Sequence, residues 1–123
     1  MTPAPDARGG STISTHVLDT ALGAPARGIR VSLERSGASG GGTELGVGVT
    51  DDDGRVRDLL APGVSLSQGT YRLRFDTGAY FARTNREGFF PEIAITFLVG
   101  PGSQHYHVPV LLSPFGYSTY RGS

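Results

Sequence analysis

Residues 11–34 read STISTHVLDTALGAPARGIRVSLE, and their pattern decides the fold class. From Ser11 to Asp19 the side chains alternate. Ile13, Thr15, Val17 and Asp19 fall on one face, and Ser14, His16 and Leu18 on the other. Successive side chains of a strand point to opposite sides, so this alternation predicts a strand. Leu22-Gly23-Ala24-Pro25 is a turn signal. Ile29, Val31 and Leu33 then alternate with Arg30, Ser32 and Glu34, the signature of a half-buried strand.

The same grammar continues along the chain. Ser36 to Gly42 reads as a Gly/Ser loop, and Leu45, Val47 and Val49 alternate with glycines as the next strand. Asp51-Asp52-Asp53-Gly54 predicts a tight turn, with a short segment from Arg55 to Leu59 after it. Gly69 to Phe75 is a strand with Tyr71, Leu73 and Phe75 inward. Thr77 to Glu87 is the one predicted helix, carrying Tyr80, Phe81 and Thr84 at helical spacing. Glu92 to Val99, Gln104 to Leu112 and Phe115 to Tyr120 complete the strands, the last two joined by Ser113-Pro114. About seven or eight short strands, with turns every 8–12 residues or so, predict an all-β sandwich.

Composition agrees. A chain of 123 residues holds one domain, expected over residues 11–123, with residues 1–10 as a disordered leader. The 37% hydrophobic content allows only a thin core, so some apolar surface is expected between subunits. With 19 glycines and 8 prolines spread along the chain, a helical bundle is disfavoured. Eleven basic residues balance eleven acidic ones, which gives no reason to expect a nucleic-acid or membrane partner. The absence of lysine excludes Schiff-base chemistry, and the absence of cysteine excludes disulfides, thiolate nucleophiles and Cys-ligated metals. Residues 1–10 do not read as a secretory signal and no stretch is long enough for a membrane span, so the cytoplasm is the expected location.

Candidate chemistry rests on few residues. There are three histidines: His16, His105 and His107. On a strand, His105 and His107 share a face with Pro109 and Leu111, and His16 shares one with Ser14 and Leu18. Each could be a solvated strand histidine, a general base, since imidazole titrates near neutrality, or one of three zinc ligands. The Asp51–Asp53 run before Gly54 lacks the downstream Glu of an EF-hand and reads as a turn. The Gly37–Gly42 run lacks the Gly-Lys-Ser/Thr of a phosphate loop, and no Gly-x-Ser-x-Gly elbow occurs. Arg55 follows the Asp-Gly turn, where a surface arginine is the ordinary reading. The ending SPFGYSTYRGS (113–123) is aromatic and almost uncharged, unlike most termini, and is expected to pack against something.

Several stretches, in order, carry a resemblance: STHVLDTALGAPARG, TDDDGRV, FDTGAYF, FFPEIAITF and HYHVPVLLSPFGYSTYRGS. Together they resemble the 5-hydroxyisourate hydrolases of the transthyretin-like family over most of 11–123, and the closing Tyr-Arg-Gly-Ser is the most specific mark. The resemblance implies a sandwich of two four-stranded sheets with one short helix. It also implies a homotetramer, a dimer of dimers with active sites in the channel between dimers, and no cofactor or metal. By the same resemblance His16, His107 and Arg55 are catalytic, and Tyr120, Arg121, Gly122 and Ser123 line the site. Pro109, Leu111 and Ser118 share faces with these residues and are expected to contact substrate. His105 adjoins the motif without matching a catalytic position.

Overall fold

The computed structural model describes residues 10–37 and 42–123. Of the expected leader only Gly10 is described, and it is buried; the middle of the expected Gly/Ser loop, residues 38–41, also lies outside the described residues.

The opening strand, β1 (Thr12–Asp19), buries Ile13, Thr15, Val17 and Asp19 and leaves the Ser14, His16 and Leu18 face only partly covered. The chain continues through β2 (Ala24–Pro25), β3 (Arg30–Ser36), β4 (Gly42–Val49), β5 (Arg55–Val56) and β6 (Gly69–Phe75). After the helix α1 (Thr77–Arg83) come β7 (Ile93–Val99), β8 (His105–Ser113) and β9 (Gly116–Thr119). One sheet has the order β4-β3-β6-β7, all antiparallel. The other runs β2-β1-β8-β9, with β5 also on β1. The inward residues of both sheets, among them Val31, Leu33, Tyr71, Leu73, Phe75, Ile93, Val108, Val110 and Leu112, make one core.

The second sheet corrects the expectation of two four-stranded sheets. It has five strands, because the free edge of β1 takes two short partners. β5 pairs at Thr15 and His16, and β2 at Leu18 and Asp19. The segment expected to be only a turn, Leu22–Pro25, ends in β2.

The decisive pairing is parallel: β1 lies beside β8 in unbroken register from Thr12↔His105 to Asp19↔Leu112. Paired residues point to the same side of a sheet, so Ser14 faces with His107 and His16 with Pro109.

The helix is shorter than expected. Asp76 caps its start, accepting from Ala79 N–H. It stops at Arg83 because Asn85 turns left-handed (φ 56°). Asn85 N–H donates to Ala82 C=O and Arg86 N–H to Phe81 C=O, a Schellman stop. The stop aims Arg86 back at β1, where its guanidinium meets the fully buried Asp19 carboxylate at 2.6 Å. Tyr80 Oη also donates to Asp19, at 2.7 Å.

Candidate active site

The Asp-Gly turn places the arginine. Asp51 Oδ1 accepts from the Asp53 and Arg55 N–H groups, and Gly54 takes φ 77°. A Cβ at Gly54 would lie 2.4 Å from Val17 C=O, so only glycine lets the turn seat itself against β1. Gly54 C=O accepts from Val17 N–H, and the next residue, Arg55, falls opposite His16. The aspartates therefore build a turn, as the sequence predicted.

Arg55 and His107 line one pocket of about 350 Å³ together with Ser14, Thr15, Arg57, His105 and Ser123. Three strands and the C-terminal segment supply these groups. β1 brings Ser14, β5 Arg55, β8 both histidines, and Ser123 closes one side. The C-terminal segment is tied down by an isolated bridge, with Gly122 N–H donating to His107 C=O at 2.8 Å.

The histidines have different surroundings. His107 is half-buried, and its pKa lies below the ordinary 6.5. Burial is the largest cause, followed by the charges of Arg55, His16 and His105. The imidazole is thus held neutral near pH 7. His16 is in register with Arg55, but its Nε2–H donates to Asp53 C=O at 2.9 Å. His105 is exposed, with both ring nitrogens on hydroxyls: Nδ1 is 2.6 Å from Thr12 Oγ1 and Nε2 is 2.8 Å from Ser14 Oγ. Among the described residues no group of three or more His, Asp or Glu converges as metal ligands.

The remaining expected residues separate into groups. Pro109 is buried beneath Gly122 and opposite His16. Tyr120 and Arg121 line a second, more apolar pocket of about 230 Å³ that shares His107 and is bounded by Ile95, Phe97 and Leu98 of β7. Arg121 lies over the Tyr106 ring at 4.7 Å and donates to Gln104 Oε1 at 2.8 Å. Leu111 and Ser118 face each other across β8–β9 and line neither pocket. The tail expected to pack is bridged at Gly122 but leaves Tyr117 and Tyr120 exposed within this chain. Sequence reasoning gave no role to Ser14 or Arg57. Ser14 was visible as a same-face neighbour of His16, two residues away, but its contact with His107 required the β1–β8 register.

The chain is thus a two-sheet sandwich with one short helix, carrying two histidines and an arginine around a pocket that Ser123 helps to line. The HIUase/Transthyretin family model matches residues 13–122. This chain belongs to that family. It is 46% identical over 117 residues to a 5-hydroxyisourate hydrolase of Salmonella dublin, covering 95% of this chain and 85% of the relative. A mouse 5-hydroxyisourate hydrolase is 44% identical over 114 residues, covering 92% and 96%. Among solved structures, Klebsiella pneumoniae 5-hydroxyisourate hydrolase matches with a TM-score of 0.79 at 43% identity, covering 92% and 94%. Sea bream transthyretin in complex with thyroxine matches as well in shape, with a TM-score of 0.80, but at 30% identity, covering 90% and 94%. Fold similarity does not separate carrier from enzyme, whereas sequence places this family member with the hydrolases.

Proposed function

We propose that this chain hydrolyses 5-hydroxyisourate to 2-oxo-4-hydroxy-4-carboxy-5-ureidoimidazoline, a step of urate breakdown. The observation that carries the proposal is the convergence of a neutral-held imidazole, His107, with the Arg55 guanidinium in one pocket. The hydrolase names of relatives at 44–46% identity supply the substrate.

In this reading His107 takes a proton from water as general base, and the water oxygen attacks an amide-like ring carbonyl. The ring C–N bond then breaks, and the proton passes to the leaving nitrogen. Arg55 donates paired hydrogen bonds to the carbonyl oxygen as negative charge grows on it. Its charge also disfavours a second cation on His107 and so keeps the base free. His16, whose Nε2–H is held by Asp53 C=O, acts beside Arg55 in orienting water or substrate. General-base assistance is worth about 10²–10⁴-fold, and orientation and charge stabilisation supply the rest. Ser123 walls the site, Tyr120 and Arg121 wall the adjoining pocket, and Gly122 packs against His107 and Pro109, with Leu111 and Ser118 further along the strands. The chemistry calls on no cofactor.

A homotetramer, a dimer of dimers with the sites between dimers, fits the exposed apolar side chains of one edge of the sandwich. Leu98 on β7, Phe115 beside β9, and Tyr117 on β9 with Tyr120 just beyond it are 76%, 67%, 41% and 58% exposed. Sedimentation velocity should give four times the monomer mass, and a monomer would remove this part of the reading. No described helix is long and apolar enough to cross a membrane.

The test of function is an absorbance assay. Purified protein should clear the near-UV absorbance of freshly made 5-hydroxyisourate much faster than buffer. Full rate in Arg55→Ala or His107→Ala would overturn the assigned roles.

A further inference from the structure

Ser14 links two histidines. Its hydroxyl lies 2.8 Å from His105 Nε2 and 2.8 Å from His107 Nδ1. Beyond His105, Nδ1 is 2.6 Å from Thr12 Oγ1. The four side chains form a line across the β1–β8 ladder, where Thr12 pairs with His105 and Ser14 with His107.

A hydroxyl has one proton to give. Ser14 can therefore donate to only one imidazole and must accept from the other. In one arrangement it donates to His105 Nε2 and accepts from His107 Nδ1–H, which leaves His107 Nε2 bare. In the reverse arrangement His107 Nε2 carries the proton and cannot act as a base.

The lining of the pocket selects the first arrangement. The pocket that His107 lines also holds the Arg55 and Arg57 guanidiniums, which only donate, so the remaining nitrogen is favoured as a lone pair.

We propose that Ser14, held by His105, is a positioning residue that fixes His107 as its Nδ1–H tautomer and leaves Nε2 as the basic nitrogen. The inference rests on the reading of His107 as general base. When Nε2 takes a proton from the attacking water, the imidazolium keeps Nδ1–H on Ser14, and the Nε2 proton goes to the leaving nitrogen as the ring C–N bond breaks. The charged and titratable groups around His107 are Arg55 and Arg57 from the turn and β5 region, His16 from β1, His105 and Tyr106 from its own strand, and Tyr120 and Arg121 from the C-terminal segment.

The test is a tautomer measurement, which needs no substrate. Long-range ¹H–¹⁵N correlation spectra resolve three imidazoles, assigned with His16→Gln and His105→Gln. Wild type should show His107 with a protonated Nδ1 and a bare Nε2 at neutral pH. Ser14→Ala should shift His107 toward the Nε2–H form, and Ser14→Thr, which keeps the hydroxyl, should restore the wild-type signature. In the absorbance assay Ser14→Ala should lower kcat by about 10- to 100-fold, within the range that general-base assistance supplies, with KM little changed. Ser14→Thr should recover most of that loss. A wild-type His107 protonated at Nε2, or a tautomer indifferent to Ser14→Ala, would overturn the proposal. A tautomer that switches as described in a protein with no turnover would uphold the positioning role and count against the hydrolase reading alone.

Discussion

Gly122 presses against the His107 ring: a methyl at its α-carbon would lie 2.7 Å from His107 Cδ2 and 3.2 Å from Pro109 Cγ. The same residue donates its N–H to His107 C=O at 2.8 Å. Glycine is needed here for close approach to a side chain and not for its backbone freedom.

Gly122→Ala should therefore move the imidazole or expel the terminal segment. A displacement near 1 Å costs as much as about 10²-fold in a positioned reaction, so kcat should fall steeply while the melting temperature changes little. Steady-state kinetics with differential scanning fluorimetry would decide it. Wild-type turnover would show that the segment does not set the position of His107.

Arg55→Gln separates two roles. Loss of the guanidinium removes charge stabilisation and should lower kcat/KM. It also removes one of the effects holding the His107 pKa below 6.5, while burial, His16 and His105 still act. The direction is upward, because a cation beside an imidazole disfavours its protonated form. The acid limb of the pH–rate profile should shift to higher pH, in step with His107 titration by NMR. An unmoved limb would mean that another group controls it.

Asp19 is a fold determinant away from the pocket. Burial raises its pKa, but hydrogen bonds from Arg86, Tyr80 and Leu22 N–H outweigh that and hold it below the ordinary 3.8. A carboxylate with a lowered folded pKa contributes stability that is present above the unfolded value and lost as pH falls through the folded one. Asp19→Asn should cost about 3 kcal/mol or more at neutral pH, the usual result of breaking a buried ion pair from one side. It should also flatten the loss of stability below about pH 4. Urea titrations at pH 7 and pH 3 would measure both.

Chelator treatment separates the zinc reading from the one proposed. Both His105 ring nitrogens are on hydroxyls, His107 Nδ1 is on Ser14 and His16 Nε2 is on Asp53 C=O, so each histidine has a hydrogen-bond partner within the chain. Activity should survive prolonged dialysis against EDTA. Loss of activity that zinc restores would overturn the mechanism.

Local chemistry made much of this protein legible from its residues. The period-two alternation of Ser11–Asp19 and Ile29–Leu33 announced strands with their buried faces, and Asp51–Gly54 announced the turn before Arg55, because both depend on residues close in the chain. The end of the helix was less visible. Tyr80, Phe81 and Thr84 carry its spacing past Arg83, but the Schellman stop at Asn85 ended it.

The resemblance singled out His16, Arg55, His107 and the closing residues, but not how they meet. That was decided by the parallel register of β1 and β8, which sets Ser14 beside His107 and His16 beside Pro109 from positions 93 apart in the chain. Alternation tells a residue which face it occupies. Which strand lies next to it, and at what offset, depends on the packing of two sheets and on closing a long loop, and these exist only in the folded chain.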